Sequence, residues 1–302
     1  MRIDIAAQSD TGKRKRINED CYGVFREDTP GLQLFKGGAL LCVADGLGGH
    51  VGGQIASKLS VSIIKEALTH TSPPGSEEDG EGLLSLLREA FRYANQSVYR
   101  TNLDLVKNSR PMGTTLLATL ITPRKVYVCN VGDSRCYQFR QGKILNRTED
   151  HSWIDEQVKL GLMSKSEADT DARRHIVTRS IGTQPEVEVD CYTWDVSAGD
   201  LLLVCTDGLV NMVKDREIEA EFQNNAAPVE IAQRLIALAN ENGGRDNITV
   251  IVADINPSFA TLLSRRLRSL SRRPYAWVIW LLLALAYGGL TFTAGYLVAH
   301  AL

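Results

Sequence analysis

The sequence contains no CxxC pair, no GxxxxGKS or GxxxxGKT run and no repeat of fixed period. The six cysteines (Cys21, Cys42, Cys129, Cys136, Cys191 and Cys205) therefore lack the spacing of a structural zinc site. Cys42, Cys129 and Cys205 fall inside apolar, strand-like runs and read as reduced core thiols of a cytosolic domain. The N-terminus, MRIDIAAQSD, has no apolar h-region, so a secretory signal is not expected. Acidic residues are missing after Pro257, where five arginines stand instead: Arg265, Arg266, Arg268, Arg272 and Arg273. The whole chain has a net charge of −2, and without those five charges the remainder carries −7. An acidic body argues against a nucleic-acid partner, which needs a basic face.

What is present is ordinary for a folded protein. The chain has 302 residues, 44% of them apolar and 23% charged, which excludes disorder as the dominant state. Three parts follow from composition: a body over 1–255, a basic juxtamembrane linker over 256–274, and an uncharged stretch over 275–302. That last stretch, which includes WVIWLLLALAYGGLTFTAGYLVAHAL, is long enough to cross a bilayer as one helix. Tyr275, Trp277 and Trp280 lie at its arginine-flanked end, where aromatic side chains favour the interface. The arginines are expected to stay cytoplasmic, which makes the body cytoplasmic and the protein single-pass and C-terminally anchored.

Within the body, GALLCVADG, KVYVCNVGDS, DLLLVCTDG and NITVIVADI read as buried strands, short, Val-rich and bounded by turn residues. Helical spacing aligns Ile55, Leu59, Ile63 and Ala67 on one face, then Leu87, Phe91, Ala94 and Val98, then Ile231, Leu235, Leu238 and Ala239. The segment Ser72–Gly82 reads as a polar loop between two helices.

Four aspartates occupy matching positions. Asp45 and Asp207 each end an apolar strand and precede a glycine, Asp133 follows a strand in Val131-Gly132-Asp133-Ser134, and Asp246 sits in GGRDN just before another strand. One Asp-Gly is usually only a turn. Four such carboxylates at strand ends suit a hard cation, because they present oxygen ligands on rigid elements and the glycines let backbone carbonyls approach. The run GLGGHVGG fails the dinucleotide fingerprint, since Val51 stands where the third glycine is required. It reads better as a loop giving an open metal site room for a substrate phosphate.

At these residues the chain resembles the metal-dependent serine/threonine phosphatases of the PP2C (PPM) family, in their compact bacterial form. The segments that carry the resemblance are SDTGKRKRINEDCYGV, VADGLGGHVGGQIAS, MGTTLLATLI, VCNVGDSRCYQFRQGKILNRTEDHSW, HIVTRSIGT, LLLVCTDGLVNMV and GGRDNITVIVADI, in family order over residues 8 to about 255. The resemblance implies an α+β fold, a four-layer αββα sandwich of two antiparallel sheets flanked by helices. Local pattern alone does not decide between parallel and antiparallel pairing. It also implies Mn²⁺ or Mg²⁺ as cofactor, with two core ions and a third, weaker site. Asp45 would bridge the core ions and the Gly46 carbonyl would bind one. Asp207 and Asp246 would complete the first ion's ligands, and Asp133 with Asp207 would serve the third. Glu19 and Asp20 would hold waters around the metals, and Asn247 would support the site from behind. A water activated by the metals would then attack phosphorus in line.

Two positions depart from the family pattern. The phosphate-binding arginine is replaced by Lys15, flanked by Arg14 and Arg16. Lysine supplies charge without the bidentate fork, so either Lys15 binds phosphate, or a one-residue shift lets Arg14 or Arg16 do so, or the segment is a solvated basic loop. The histidine that follows Asp-Gly in eukaryotic relatives is Leu47 here, which leaves His50 as general acid or as a loop-packing residue. His151 is expected to pack or hydrogen-bond locally, and the stretch from Trp153 to Arg174 resembles the flap beside the cleft. The expected partners are phosphorylated proteins, the targets of a cognate Ser/Thr kinase, with the membrane holding the tail, and the chain is expected to be a monomer. Two other readings are a catalytically dead phosphoprotein-binding module, against which the intact carboxylates argue, and a hydrolase of small phosphoesters.

Overall fold

The structure, a computed structural model, describes residues 1–30, 37–49, 51–69, 80–105, 111–168, 171, 173, 176–224 and 226–256. The basic linker beyond Asn256, the predicted span over 275–302 and His50 lie outside the described residues. Among the described residues no helix is long and apolar enough to cross a membrane.

The elements run in the order β1 (Ile3–Asp10), β2 (Cys21–Arg26), β3 (Ala39–Ala44), β4 (Gly46–Leu47), α1 (Val51–Thr69), α2 (Gly80–Leu105), β5 (Gly113–Thr114), β6 (Leu116–Ile121), β7 (Lys125–Val131), β8 (Arg135–Arg140) and β9 (Lys143–Arg147). Then come α3 (Trp153–Lys159), α4 (Lys165–Ala168), β10 (Asp190–Asp195), β11 (Leu201–Cys205), α5 (Asp207–Val210), α6 (Asp215–Phe222), α7 (Pro228–Glu241) and β12 (Ile248–Ile255). One five-stranded sheet has the order β1-β12-β11-β8-β9, the other β10-β7-β6-β3-β2, and β4 pairs with β5. Every pairing among them is antiparallel.

The inner strands β3, β6 and β11 are almost wholly apolar because each sheet is covered on both faces there. In β3 the residues Leu40, Cys42 and Ala44 face α1 and α2, while Ala39, Leu41 and Val43 face the other sheet. In β12 the alternation sends Val250 and Val252 towards α5 to α7, and Ile251 and Ala253 towards the first sheet's partner. Three cores result, one between the sheets and one under the helices on each outer face. Each fully buried Leu, Ile or Val contributes about 1.5–3 kcal/mol, so the strand ends that bear the aspartates stand on a rigid base.

The helices differ from expectation in two places. Leu87, Phe91, Ala94 and Val98 of α2 are buried, as are Ile231, Leu235 and Ala239 of α7. In α1, Ile63 is buried and Leu59 and Ala67 pack against the core, but Ile55 is 41% exposed, and the first half of the helix buries Gly53, Ala56, Ser57 and Ser60 instead. Small residues let this helix lie close on β4 and on the loop before β2, and that contact outweighs burial of the larger side chain. Helix α2 also begins at Gly80, inside the segment expected to be loop.

Candidate active site

The four aspartates meet at one edge of the sandwich. Asp45 follows β3, Asp133 lies between β7 and β8, Asp207 opens α5 at the end of β11, and Asp246 precedes β12. All four line a single cavity of about 260 Å³, together with Lys15 and Arg245. Strands from both sheets thus deliver their carboxylates to the same opening.

The Asp45 turn is held by its backbone. The Asp45 amide donates to Thr115 Oγ1 at 2.9 Å, and its carbonyl accepts from the Thr115 amide and from Thr114 Oγ1, both at 2.8 Å. Thr115 Oγ1 also lies 2.8 Å from Ser134 Oγ, which ties the Asp45 turn to the Asp133 turn. Gly132 has φ +113, open to glycine at little cost, and a Cβ there would collide with Thr115. The His151 amide donates to the Gly132 carbonyl at 3.0 Å, and His151 Nδ1 accepts from the Gly132 amide at 3.1 Å. His151 is buried and does local work, as expected from its sequence context. Asp207 Oδ2 accepts from Asn211 Nδ2 at 2.8 Å.

The glycine-rich run has a packing role. A Cβ on Gly46 would strike the backbone of Gly53 and the Glu19 carbonyl, so these glycines allow α1, β4 and the β1–β2 loop to approach backbone to backbone. Asn247 fastens that loop. Its Oδ1 accepts from the Glu19 amide at 2.8 Å, and its Nδ2 donates to the carbonyls of Thr11 and Ile17 at 2.9 and 3.0 Å. Asp20 is buried beside it, and its Oδ2 accepts from Thr206 Oγ1 at 2.9 Å and Thr249 Oγ1 at 2.6 Å.

Electrostatically the cluster is under load. Burial pushes the Asp45 carboxyl well above the usual carboxylate range, and the negative Asp20, Asp207 and Asp133 push it further. Burial raises Asp133 in the same way, reinforced by Asp207 and Asp150. Asp20 is pushed up to about 7, chiefly by burial, against the two threonine hydrogen bonds. Lys15 Nζ stands 2.6 Å from Asp246 Oδ1. Burial disfavours its ammonium, but that bond and the nearby Asp45 and Glu19 outweigh this and hold its pKa above the ordinary value.

A divalent cation fits this donor set. Asp133 Oδ1 and Asp20 Oδ1 are buried and have no hydrogen-bond partner, which is costly for carboxylates unless a cation satisfies them. Among the described residues no three His, Cys, Asp or Glu side chains close into a ready-made ligand cluster. The donors at the cavity are oxygens, which suit a small, hard ion.

The sequence matches the family described as "Protein phosphatase 2C" over residues 21–249. The chain belongs to the protein phosphatase 2C family. The "Serine/threonine phosphatase stp" of Listeria monocytogenes (strain ATCC BAA-679 / EGD-e) is 34% identical over 252 residues, covering 82% of this chain and 94% of that protein. Among solved structures, the S. agalactiae serine/threonine phosphatase superposes with a TM-score of 0.74 at 30% identity, covering 84% of this chain and 99% of that one. The catalytic domain of the serine threonine protein phosphatase PstP, crystallised in complex with two manganese ions, superposes with a TM-score of 0.68 at 32% identity, covering 83% and 97%. This protein is accordingly a serine/threonine phosphatase of the bacterial PP2C type, and its two antiparallel sheets with flanking helices are that family's fold.

Within the PP2C frame the structure brings Asp45, Gly46, Asp133, Asp207, Asp246 and Lys15 to one cavity. Arg14 and Arg16 are exposed and do not line it. The Arg14 amide, with that of Lys13, donates to the Gly244 carbonyl, which sets the register that turns Lys15 inward. Asp20 and Asn247 sit behind the cavity, and Asn247 spends its whole amide on backbone groups. Sequence reasoning passed over Arg245, although it stands within the quoted GGRDN motif, and over Thr115, Thr206 and Thr249. Hydroxyls in apolar strands carry no signal of their own until the fold shows what they face.

Proposed function

We propose that this PP2C phosphatase hydrolyses phosphoserine and phosphothreonine in proteins with Mn²⁺ or Mg²⁺ held at the cavity. Asp45, Asp207, Asp246 and the Gly46 carbonyl would hold two core ions, and Asp133 with Asp207 would hold a third, weaker one. Glu19 and Asp20 would order the surrounding waters. When bound, the ions supply the Lewis acidity that makes water a nucleophile at neutral pH. Lys15 Nζ donates to a phosphoryl oxygen and neutralises charge there. Arg245 adds a second cation at the rim. The loop fastened by Asn247 keeps Lys15 in register with Asp246.

The observation that carries this reading is the charge balance of the cavity. Four carboxylates and two cations line it, yet it must admit a phosphate dianion. Without added cations that approach is repulsive. The test uses the full chain and a phosphothreonine peptide. Chelation should abolish turnover and Mn²⁺ should restore it, while Asp45→Asn and Asp246→Asn should each lower kcat by at least ~10²-fold, the scale of losing a principal electrostatic stabiliser. Activity that survives EDTA, or near-normal rates in either variant at saturating metal, would sink the assignment.

The uncharged stretch over 275–302 and the five arginines before it support a second element of the proposal. The tail anchors the enzyme in the membrane, the catalytic body stays cytoplasmic, and the preferred substrates are membrane-proximal targets of a Ser/Thr kinase. A charged residue at a helix centre costs about 2.5–3.5 kcal/mol on insertion scales, and this stretch has none. The full chain should pellet with membranes and resist carbonate extraction. Recovery in the soluble fraction would remove the anchor.

A further inference from the structure

Away from the active site, two cysteines that are far apart in sequence face each other across neighbouring strands. Cys129 of β7 and Cys191 of β10 are register partners in the antiparallel pair. Their Sγ atoms stand 2.7 Å apart, where a disulfide bond measures about 2.05 Å. Both belong to the core beneath α1 and α2, Cys129 fully buried and Cys191 at its partly exposed edge. All six cysteines are thiols. We propose that Cys191 and Cys129 form an oxidisable pair, which a peroxide converts into an intrachain disulfide that staples the edge strand β10 to β7.

The two thiols have different roles. The Arg88 guanidinium of α2 favours the charged form of Cys191. With the bond from Cys129 as the larger cause, this holds the Cys191 thiol below its ordinary value, although burial and Asp190 oppose it. Cys129 is pushed upward by its bond to Cys191 and by burial. Burial also pushes up Cys21, Cys42, Cys136 and Cys205. Cys191, at the partly exposed edge, is the sulfur that an oxidant can reach, and the buried Cys129 is the thiol that resolves it.

The chemistry balances. The Cys191 thiolate attacks one peroxide oxygen, the O–O bond breaks, and the other oxygen leaves as hydroxide, giving a sulfenic acid. The Cys129 thiol loses its proton as its sulfur bonds to the Cys191 sulfur, and the sulfenic hydroxyl leaves as water. In total two thiols are oxidised by two electrons and one peroxide becomes two waters. A small-molecule dithiol reverses the change. The bond closes a loop across 62 sequence positions, and it lies one residue from Asp190, whose Oδ2 is 3.1 Å from Nε2 of the His151 that clasps the Gly132 turn. Such bonds in a reducing compartment are transient, which suits a sensor.

The experiment treats the full chain with hydrogen peroxide and maps thiols by peptide mass spectrometry. Two of the six thiols should disappear, a peptide pair joined through Cys129 and Cys191 should appear, and dithiothreitol should restore both. The melting midpoint of the oxidised chain should rise by on the order of 5 °C, since the denatured chain is restrained. Cys191→Ser should abolish the linkage. Cys129→Ser should leave a dimedone-reactive sulfenic acid on Cys191. Arg88→Gln, which leaves both thiols in place, should slow linkage several-fold. The absence of the joined peptide in the unsubstituted chain, linkage through other cysteines, or sulfinic acid at Cys191 without linkage would each overturn the proposal.

Discussion

Replacing Asn247 with alanine should separate the loop that carries Lys15 from the strand that carries Asp246. The Asn247 side chain makes three hydrogen bonds, from the Glu19 amide and to the carbonyls of Thr11 and Ile17. The residue is 2% exposed, so water does not replace those bonds. At about 0.5–1.5 kcal/mol each, their loss costs about 3 kcal/mol, and more where the orphaned groups stay buried. A domain of ordinary stability has about 5–15 kcal/mol and survives that loss. The variant should therefore fold, and denaturant titration should show a lower midpoint with an unchanged slope. Its kinetics should fail in a particular way. Lys15 loses its register while the four aspartates keep theirs, so KM for a phosphopeptide should rise more than kcat falls. Arg16→Ala, on the same loop but exposed, should change neither stability nor kinetics. A variant within 1 kcal/mol of the parent, or one that loses kcat with KM intact, would refute the assignment of Asn247 as the fastener of this loop.

Lys15→Ala should lower kcat/KM more than Arg14→Ala or Arg16→Ala, since only Lys15 of the three reaches the cavity, and steady-state kinetics on one phosphopeptide decides it. Lys15→Arg should retain more activity than Lys15→Ala, because charge is kept. In the chelated chain Asp20 makes stability fall as pH rises. Burial pushes its folded pKa up to about 7, so the folded state binds more protons than the unfolded chain below that pH, and stability falls as pH rises towards it. Urea titrations from pH 4 to 8 should show that slope, flattened by Mn²⁺ and by Asp20→Asn, and an equal slope in the variant would exclude Asp20 as its source.

The sequence alone determined the parts of this protein that depend on local chemistry. Strand ends were legible because unbroken apolar runs such as LLCVA and LLLVCT stop at an aspartate and a glycine, and chemistry that needs oxygen ligands follows from residue type. The α2 and α7 faces were legible because their large apolar residues recur with the helical period. The tertiary structure decided what depends on neighbours distant in sequence. It decided that α1 buries its small residues in preference to Ile55, because backbone contact with β4 is closer than a large side chain permits. It decided which of three adjacent basic residues enters the cavity, since two amide bonds to the Gly244 carbonyl set the register of the loop. It decided that Cys129 meets Cys191, and that Thr206 and Thr249 clasp Asp20. Period and composition describe one segment at a time, whereas a hydrogen bond across more than 200 residues exists only once both sheets have found their order.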